Sequence, residues 1–217
     1  MRDPENIRAV TSLGVDMIGL IFYKKSSRYV SQINTSAGII PDRVSDDMVK
    51  DDTSEVSRVG VFVDEMMQNI VTRAYNFQLD YIQLHGDESV TYIDNLRRTL
   101  DPDIRPGIKI IKAISITNAD DLKKAALYEG HVDLLLFDTK CPTVGGSGEQ
   151  FDWSVLDGYD GQLPFILSCG IGPEDVEKVK AFHHDKCIGI DLNSKFETAP
   201  AVKDIEKLRQ FVNSFTR

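Results

Sequence analysis

Residues 134–153 read LLLFDTKCPTVGGSGEQFDW, an apolar strand running into a carboxylate and then into a glycine-rich loop. Leu134, Leu135, Leu136 and Phe137 form an unbroken apolar run, the pattern of a strand covered on both faces in a parallel sheet. Asp138 ends the run, so its carboxylate is expected at the C-terminal tip of the strand. Gly145, Gly146 and Gly148, with Ser147, then give a flexible segment whose far end Phe151 and Trp153 can anchor against the body. The segment reads as a hinged loop over a site. Taken alone, it also fits a plainer reading in which Asp138 starts a turn and the glycines only bend the chain.

Outward from this stretch, similar β-rich runs recur at MIGLIF (17–22), VGVFV (59–63), DYIQL (80–84), IKIIKAI (108–114), PFIL (164–167) and CIGID (187–191), with VDLLLF (132–137) among them. Between several of them lie helical spacings, such as Met67, Ile70, Val71, Ala74 and Phe77, or Leu122, Ala125, Ala126 and Leu127 before Gly130. Asn118 and Pro173 supply helix-start signals, and Ile205, Leu208, Phe211, Val212 and Phe215 stripe a last helix. This alternation means βα units, running without a linker through a single domain over residues 1–217. Residues 31–58, with Gly38, Pro41 and an Asp-rich stretch from Asp46 to Asp52, carry no clear periodicity.

Seven such strands fit either an open doubly wound sheet or a (β/α)8 barrel with one strand unaccounted for. The N-terminus discriminates. Asp3 is a good N-cap, Pro4 a good first helical residue, and Ile7, Ala9, Val10 and Leu13 give a short apolar stripe ending at Gly14. The sequence thus opens on a helix, which in a closed barrel is the first helix, with its preceding strand absent from the sequence as given.

The 217 residues, 41% hydrophobic and 27% charged, are enough for one well-buried core. No apolar run approaches the ~20 residues of a membrane span, and Met1 is followed by Arg2, Asp3, Pro4 and Glu5 rather than by a secretory leader. Cys141, Cys169 and Cys187 show no metal-like spacing, and three cysteines are a poor basis for a disulfide framework, so a reducing cytoplasm is expected. A net charge of −9 disfavours a nucleic-acid surface, which draws on clustered Lys and Arg. Any phosphate bound here is expected on a small ligand. The residues assign no oligomeric state.

The ordered segments MRDPENIRAVTSLGVDMIGLIFYKKSSRYVS, VGVFV, YIQLHG, LLLFDTKCPTVGGSGEQFDW, LSCGI and GIDLNSKFE span nearly the whole chain. Together they resemble phosphoribosylanthranilate isomerase of tryptophan biosynthesis. The resemblance implies a single-domain (β/α)8 TIM barrel, here lacking the first β-strand, with its site on the C-terminal face. It also implies an Amadori rearrangement of N-(5-phosphoribosyl)anthranilate, without metal or organic cofactor. A general acid protonates the furanose oxygen, the ring opens to a Schiff base, a general base removes the C2 proton, and the enolamine becomes the ketone.

Such chemistry asks for a protonated carboxyl and a base on opposite sides of the sugar. Asp138 matches the family's acid, and apolar neighbours with a closing loop would raise its pKa. Arg28, in SSRYVS, corresponds to the arginine associated with the anthranilate carboxylate, which a guanidinium fork suits. Lys25 stands where the family commonly has proline. Gln83 and His85 alternate along a strand end, so both can face the barrel mouth as substrate contacts while Leu84 packs the other way. Asp191 matches an acid at the tip of the last strand, expected to meet a sugar hydroxyl. For the phosphate, the resemblance points to LSCGIGPED and DLNSKFE, with Gly170 and Gly172 letting backbone approach the anion and Asn193 and Ser194 adding donors. Cys169 replaces a common glycine. His183 and His184, at a helix end, are expected to be solvated.

The family's base is a cysteine in a Lys-x-Cys-Gly segment just before the residues that here read MRDPENI. Neither Cys141 nor Cys169 matches its place. Two other readings stay open: a decayed barrel that still binds a phosphorylated ligand through Arg28, Gly170 and Ser194, or a different phosphate-binding (β/α)8 enzyme. If Met1 is an internal methionine of a longer protein, the codons before it should encode, in frame, an apolar strand ending in Lys-x-Cys-Gly. The extended protein should then be markedly more active and more stable than these 217 residues alone. An in-frame stop with no such strand, or equal rates from both, would contradict this.

Overall fold

A computed structural model describes residues 1–31, 56–139, 152–168 and 170–215. Helix α1 (Pro4–Thr11) leads into β1 (Met17–Ile21), β2 (Ser57–Phe62), α2 (Met67–Asn76), β3 (Tyr81–Leu84), α3 (Val90–Leu100), β4 (Lys109–Ile116) and β5 (Leu134–Thr139). There follow β6 (Phe165–Ser168), α4 (Val176–Ala181), β7 (Cys187–Ile190), a short ribbon β8 (Glu197–Ala199) and β9 (Val202–Lys203), and α5 (Ile205–Asn213). Each predicted strand is present, with bounds shifted by at most a few residues.

Strands β1 to β7 form one sheet in chain order, every neighbouring pair parallel. This order excludes the doubly wound alternative, in which the strand order reverses at a switch point. It is the winding of a (β/α) barrel, with β1 and β7 as the two edges of the described sheet. On the edge of β1 away from β2, the Gly19 carbonyl accepts from the Met1 nitrogen at 2.6 Å and the Ile21 carbonyl from the Val30 N–H at 2.8 Å. Part of this open edge is therefore satisfied within the chain.

Both sheet faces are apolar, as the run at 134–137 requires. Leu135 and Phe137 pack into the large core with the helix residues Ile70, Ala74, Ile93, Leu96 and Leu208. Leu134 and Leu136 point the other way, into a smaller cluster with Val59, Ile111 and Ala113. Side-chain alternation then puts Asp138 on the small-cluster face, together with Gln83 and His85. Which face each polar group joins is thus fixed by the pleat.

The helices follow their local signals. The Asp3 side chain accepts from the Asn6 N–H, and Pro4 occupies the first turn of α1. Gly14 ends that turn at φ +77°, a conformation that favours glycine. In α3, Ser89 caps the N-terminus and Ile93, Leu96 and Leu100 are fully buried. Residues Ala119–Tyr128 form 3₁₀ turns rather than the α-helix their apolar spacing suggests. Leu122 and Ala125 are buried three apart, and Asp120–Lys123 and Asp121–Lys124 pair at the same spacing, which suits three residues per turn. Leu127 is left exposed. Asn118 does cap this segment, accepting from the Asp120 N–H. None of the described helices is long and apolar enough to cross a membrane.

A buried ion pair ties the strand ends on the helix-covered face. Lys112, 2% exposed, reaches from β4 to the Leu84 and Gly86 carbonyls and to Glu88, whose carboxylate lies 3.0 Å away. Glu88 also accepts from the Asp64 and Gly86 N–H groups, so one carboxylate holds the ends of β2 and β3. Lys112→Met removes the cation and leaves that carboxylate buried with fewer partners, which should cost about 3 kcal/mol in chemical denaturation. A loss below about 0.5 kcal/mol would show the pair to be dispensable.

Candidate active site

At the C-terminal end of β5, Asp138 lies in register with Ser115 of β4 and Ser168 of β6. Its Oδ2 is 3.2 Å from His85 Nε2, and His85 Nδ1 is 3.1 Å from the amide nitrogen of Gln83. Gln83 is buried, while His85 and Asp138 each keep about a third of their side chains exposed. The expected pairing of Gln83 and His85 on one face, with Leu84 buried on the other, is present. Their first contact is with the acid: the three side chains form one hydrogen-bonded chain from the sheet interior to its mouth.

A second carboxyl stands nearby. Asp191, just past β7, accepts from the Ser168 hydroxyl at 3.0 Å. Burial pushes its pKa up, and the charge of Asp138 pushes the same way, while Ser168, Lys203 and His85 oppose the shift. Asp138 and Asp191 thus stand on either side of β6.

Arg28 is placed by the loop after β1, but its fork is engaged. Nε lies 2.9 Å from both carboxylate oxygens of Glu197, and Nη2 is 2.6 Å from Oε2. Glu197 is almost fully buried. Burial alone would raise its pKa, yet Arg28, Lys203 and the Ala201 N–H together hold it below the usual carboxylate value. Sequence reasoning missed both Glu197 and Lys203; the carboxylate closing DLNSKFE, opposite the lysine of VKD, was the available signal.

The two loops expected to hold phosphate follow β6 and β7. Gly170 adopts φ +62°, in the left-handed region where a side chain is disfavoured. The Gly172 N–H donates to the Asp175 carboxylate at 2.7 Å, so this group is engaged within its own turn. Asn193 and Ser194 are exposed at the start of a short 3₁₀ turn, and Asn193 is held through its carbonyl and side-chain oxygens by Lys203. Residues Cys141, Gly145, Gly146, Ser147, Gly148, Phe151 and Cys169 lie outside the described residues. Trp153, beyond that loop, is buried against Phe182 with Lys178 over its ring. His184 departs from the expected solvated role: it is tied to the Tyr159 carbonyl and the Lys186 N–H, and its ring packs on Phe165. A shallow depression lined by Tyr81, Arg105 and Lys109 sits at the opposite end of the strands, away from these groups.

A sequentially wound parallel sheet with two carboxyls and an imidazole at its C-terminal tips has the architecture of a (β/α)-barrel enzyme and groups there that can exchange protons. The comparisons narrow the class. The model of the N-(5'-phosphoribosyl)anthranilate isomerase family matches residues 1–214. The isomerase of Parabacteroides distasonis is 42% identical, over 98% of this chain and 89% of that protein. The phosphoribosyl anthranilate isomerase structure from Thermus thermophilus is similar at a TM-score of 0.77 and 25% identity, over 100% of this chain and 95% of that one. An isomerase solved with reduced 1-(o-carboxyphenylamino)-1-deoxyribulose 5-phosphate is similar at 0.74 and 26%, with the same coverage. The chain belongs to the N-(5'-phosphoribosyl)anthranilate isomerase family of tryptophan biosynthesis.

Because the Asp191 pKa is higher in the folded than in the unfolded chain, folding takes up a proton in the window between the two values. Stability therefore falls as pH rises through that window, and below it the carboxyl is protonated in both states. Asp191→Asn should raise the urea midpoint at about pH 7 and leave it nearly unchanged at about pH 2.5. An equal effect at both pH values would assign the change to packing instead.

Proposed function

We propose that the chain isomerises N-(5'-phosphoribosyl)anthranilate to 1-(2-carboxyphenylamino)-1-deoxyribulose 5-phosphate with Asp138 as the general acid. The observation that carries this reading is the Gln83–His85–Asp138 chain at the barrel mouth. Asp138 gives its proton to the furanose oxygen as the C1–O bond breaks and the anilino nitrogen lone pair forms the Schiff base. A base then takes the C2 proton, its C–H electrons forming the C1=C2 bond as the iminium nitrogen recovers its lone pair. The resulting enolamine becomes the ketone when C1 gains a proton and the C2 hydroxyl loses one.

His85 suits an acid that changes protonation state. When the Gln83 amide nitrogen donates to Nδ1, the imidazole keeps its hydrogen on Nε2 and donates to the Asp138 carboxylate. When the amide is turned, its oxygen accepts from Nδ1–H, and the bare Nε2 accepts from a protonated Asp138. Either state of the acid is thus matched by one neutral tautomer. Asp191 sits across β6, where it meets a sugar hydroxyl, and burial, helped by the charge of Asp138, pushes its pKa up.

The remaining contacts follow the ends of the substrate. Arg28 receives the anthranilate carboxylate through the guanidinium edge that Glu197 does not occupy. The phosphate meets the loops carrying Gly170, Gly172, Asn193 and Ser194, with Gly172 acting by close backbone approach rather than through its N–H. The base is the thiol that the family resemblance implies. Cys187, the one described cysteine, is an unsuitable candidate: its thiol contacts the Gly189 carbonyl and burial raises its pKa.

In the full-length protein, Asp138→Asn should lower kcat by ~10²- to 10⁴-fold. Binding of reduced 1-(o-carboxyphenylamino)-1-deoxyribulose 5-phosphate should change little, since the neutral amide keeps the shape. Steady-state turnover with calorimetric binding of the analogue checks both. Unchanged turnover would remove Asp138 from the chemistry, and analogue binding by a wild-type protein that shows no turnover would favour a ligand-binding barrel.

A further inference from the structure

Glu197 and Lys203 are buried charged residues for which the acid–base steps have no use. They face each other across the ribbon that follows β7, paired in register as the first residue of β8 and the last of β9. The Lys203 ammonium has three N–H donors, and three oxygens surround it: the Leu192 carbonyl at 3.0 Å, the Asn193 carbonyl at 3.0 Å and Asn193 Oδ1 at 3.2 Å. Its donors are therefore spent on the loop after β7 rather than on a ligand. Glu197 Oε1 lies 3.7 Å from the same nitrogen, an ionic rather than a hydrogen-bonding distance.

On its other side, Glu197 takes the Nε–Nη2 edge of Arg28 in a bidentate grip. A guanidinium presents two such edges, so this grip fixes which one, Nη1–Nη2, is turned to a second carboxylate. The backbone of Lys203 is also locked to α1: its N–H donates to Asn6 Oδ1 at 2.8 Å, and its carbonyl accepts from Asn6 Nδ2 at 2.9 Å. An unbroken line of ionic and hydrogen-bonding contacts thus runs from Arg28 through Glu197 and Lys203 to Asn193.

We propose that Glu197 and Lys203 are positioning residues that fix the separation of two anion anchors, Arg28 for a carboxylate and the Asn193–Ser194 loop for a phosphate. The site thereby selects ligands that carry both groups at that spacing. This rests on the isomerase reading, which supplies the two-anion substrate. Glu197→Gln replaces an acceptor of two guanidinium bonds by an amide whose NH₂ repels the guanidinium, while volume and shape are kept. Arg28 is then free to rotate away from the mouth, and the phosphate loop, still held by Lys203, is not disturbed.

The test measures two probes on the full-length protein: reduced 1-(o-carboxyphenylamino)-1-deoxyribulose 5-phosphate, which carries both anions, and inorganic phosphate, which carries one. Glu197→Gln should weaken the two-anion probe by about tenfold or more and inorganic phosphate by less than about threefold. KM should rise in parallel with the first number, with kcat falling less. Glu197→Asp, which keeps the charge on a shorter stem, should recover part of the lost affinity and provides the test if the glutamine variant does not fold. Equal losses for both probes would mark Glu197 as a merely structural residue, and no loss for either would overturn the proposal. A wild-type protein that binds phosphate but not the two-anion probe would sink the isomerase reading and the spacing role with it. That pattern is distinct from a defect confined to the Glu197 variants.

Discussion

The parallel ladder on either side of β5 is the constraint on which the rest of the molecule depends. Because Leu134, Leu135, Leu136 and Phe137 are all buried, β5 is held by apolar contact on both faces and by neighbouring strands on both edges. Each buried side chain of this size contributes roughly 1.5–3 kcal/mol relative to exposure. The strand therefore has no register to slip into that would not expose one of these groups. Asp138 inherits that rigidity, and a rigid acid can be met by a substrate with little reorganisation.

Polar groups are arranged around this frame in two separate systems. On the small-cluster face, Gln83, His85 and Asp138 form one hydrogen-bonded chain and Ser168 and Asp191 a second pair, the groups to which the proposed chemistry is assigned. On the helix-covered face, Lys112 and Glu88 are spent entirely on holding the ends of β2 and β3. The pleat keeps the two apart, since neighbouring residues of a strand point to opposite faces. His85 belongs to the first system and Gly86, the next residue, to the second, so the QLHG segment joins the two.

The strands and the position of the acid were legible in the sequence because each rests on a local pattern: an apolar run, a turn residue, a change of period. Gln83 and His85 were legible for the same reason, through alternation about Leu84. What escaped was decided by long-range partners. Nothing near Arg28 announces that a carboxylate 169 positions away closes on its fork. Lys203 looks like a surface lysine until the fold puts the Leu192 and Asn193 carbonyls around it. Gly172 had the right residue type for anion approach, but Asp175, three residues on, claims its N–H. The 3₁₀ form of Ala119–Tyr128 was hidden because apolar spacing alone does not separate three residues per turn from three and a half.

The central claim is that one substrate lies across these tips with its sugar at Asp138, its carboxylate at Arg28 and its phosphate at the loops after β6 and β7. A crystal structure of the full-length protein with reduced 1-(o-carboxyphenylamino)-1-deoxyribulose 5-phosphate tests this most directly. In that complex a carboxyl oxygen of Asp138 should lie within about 3.2 Å of the sugar oxygen derived from the furanose ring. The ligand carboxylate should lie on the edge of Arg28 that Glu197 leaves, and the phosphate beside Asn193 and Ser194. A ligand bound at the opposite end of the strands, near Tyr81 and Lys109, or one turned so that its phosphate meets Arg28, would contradict it.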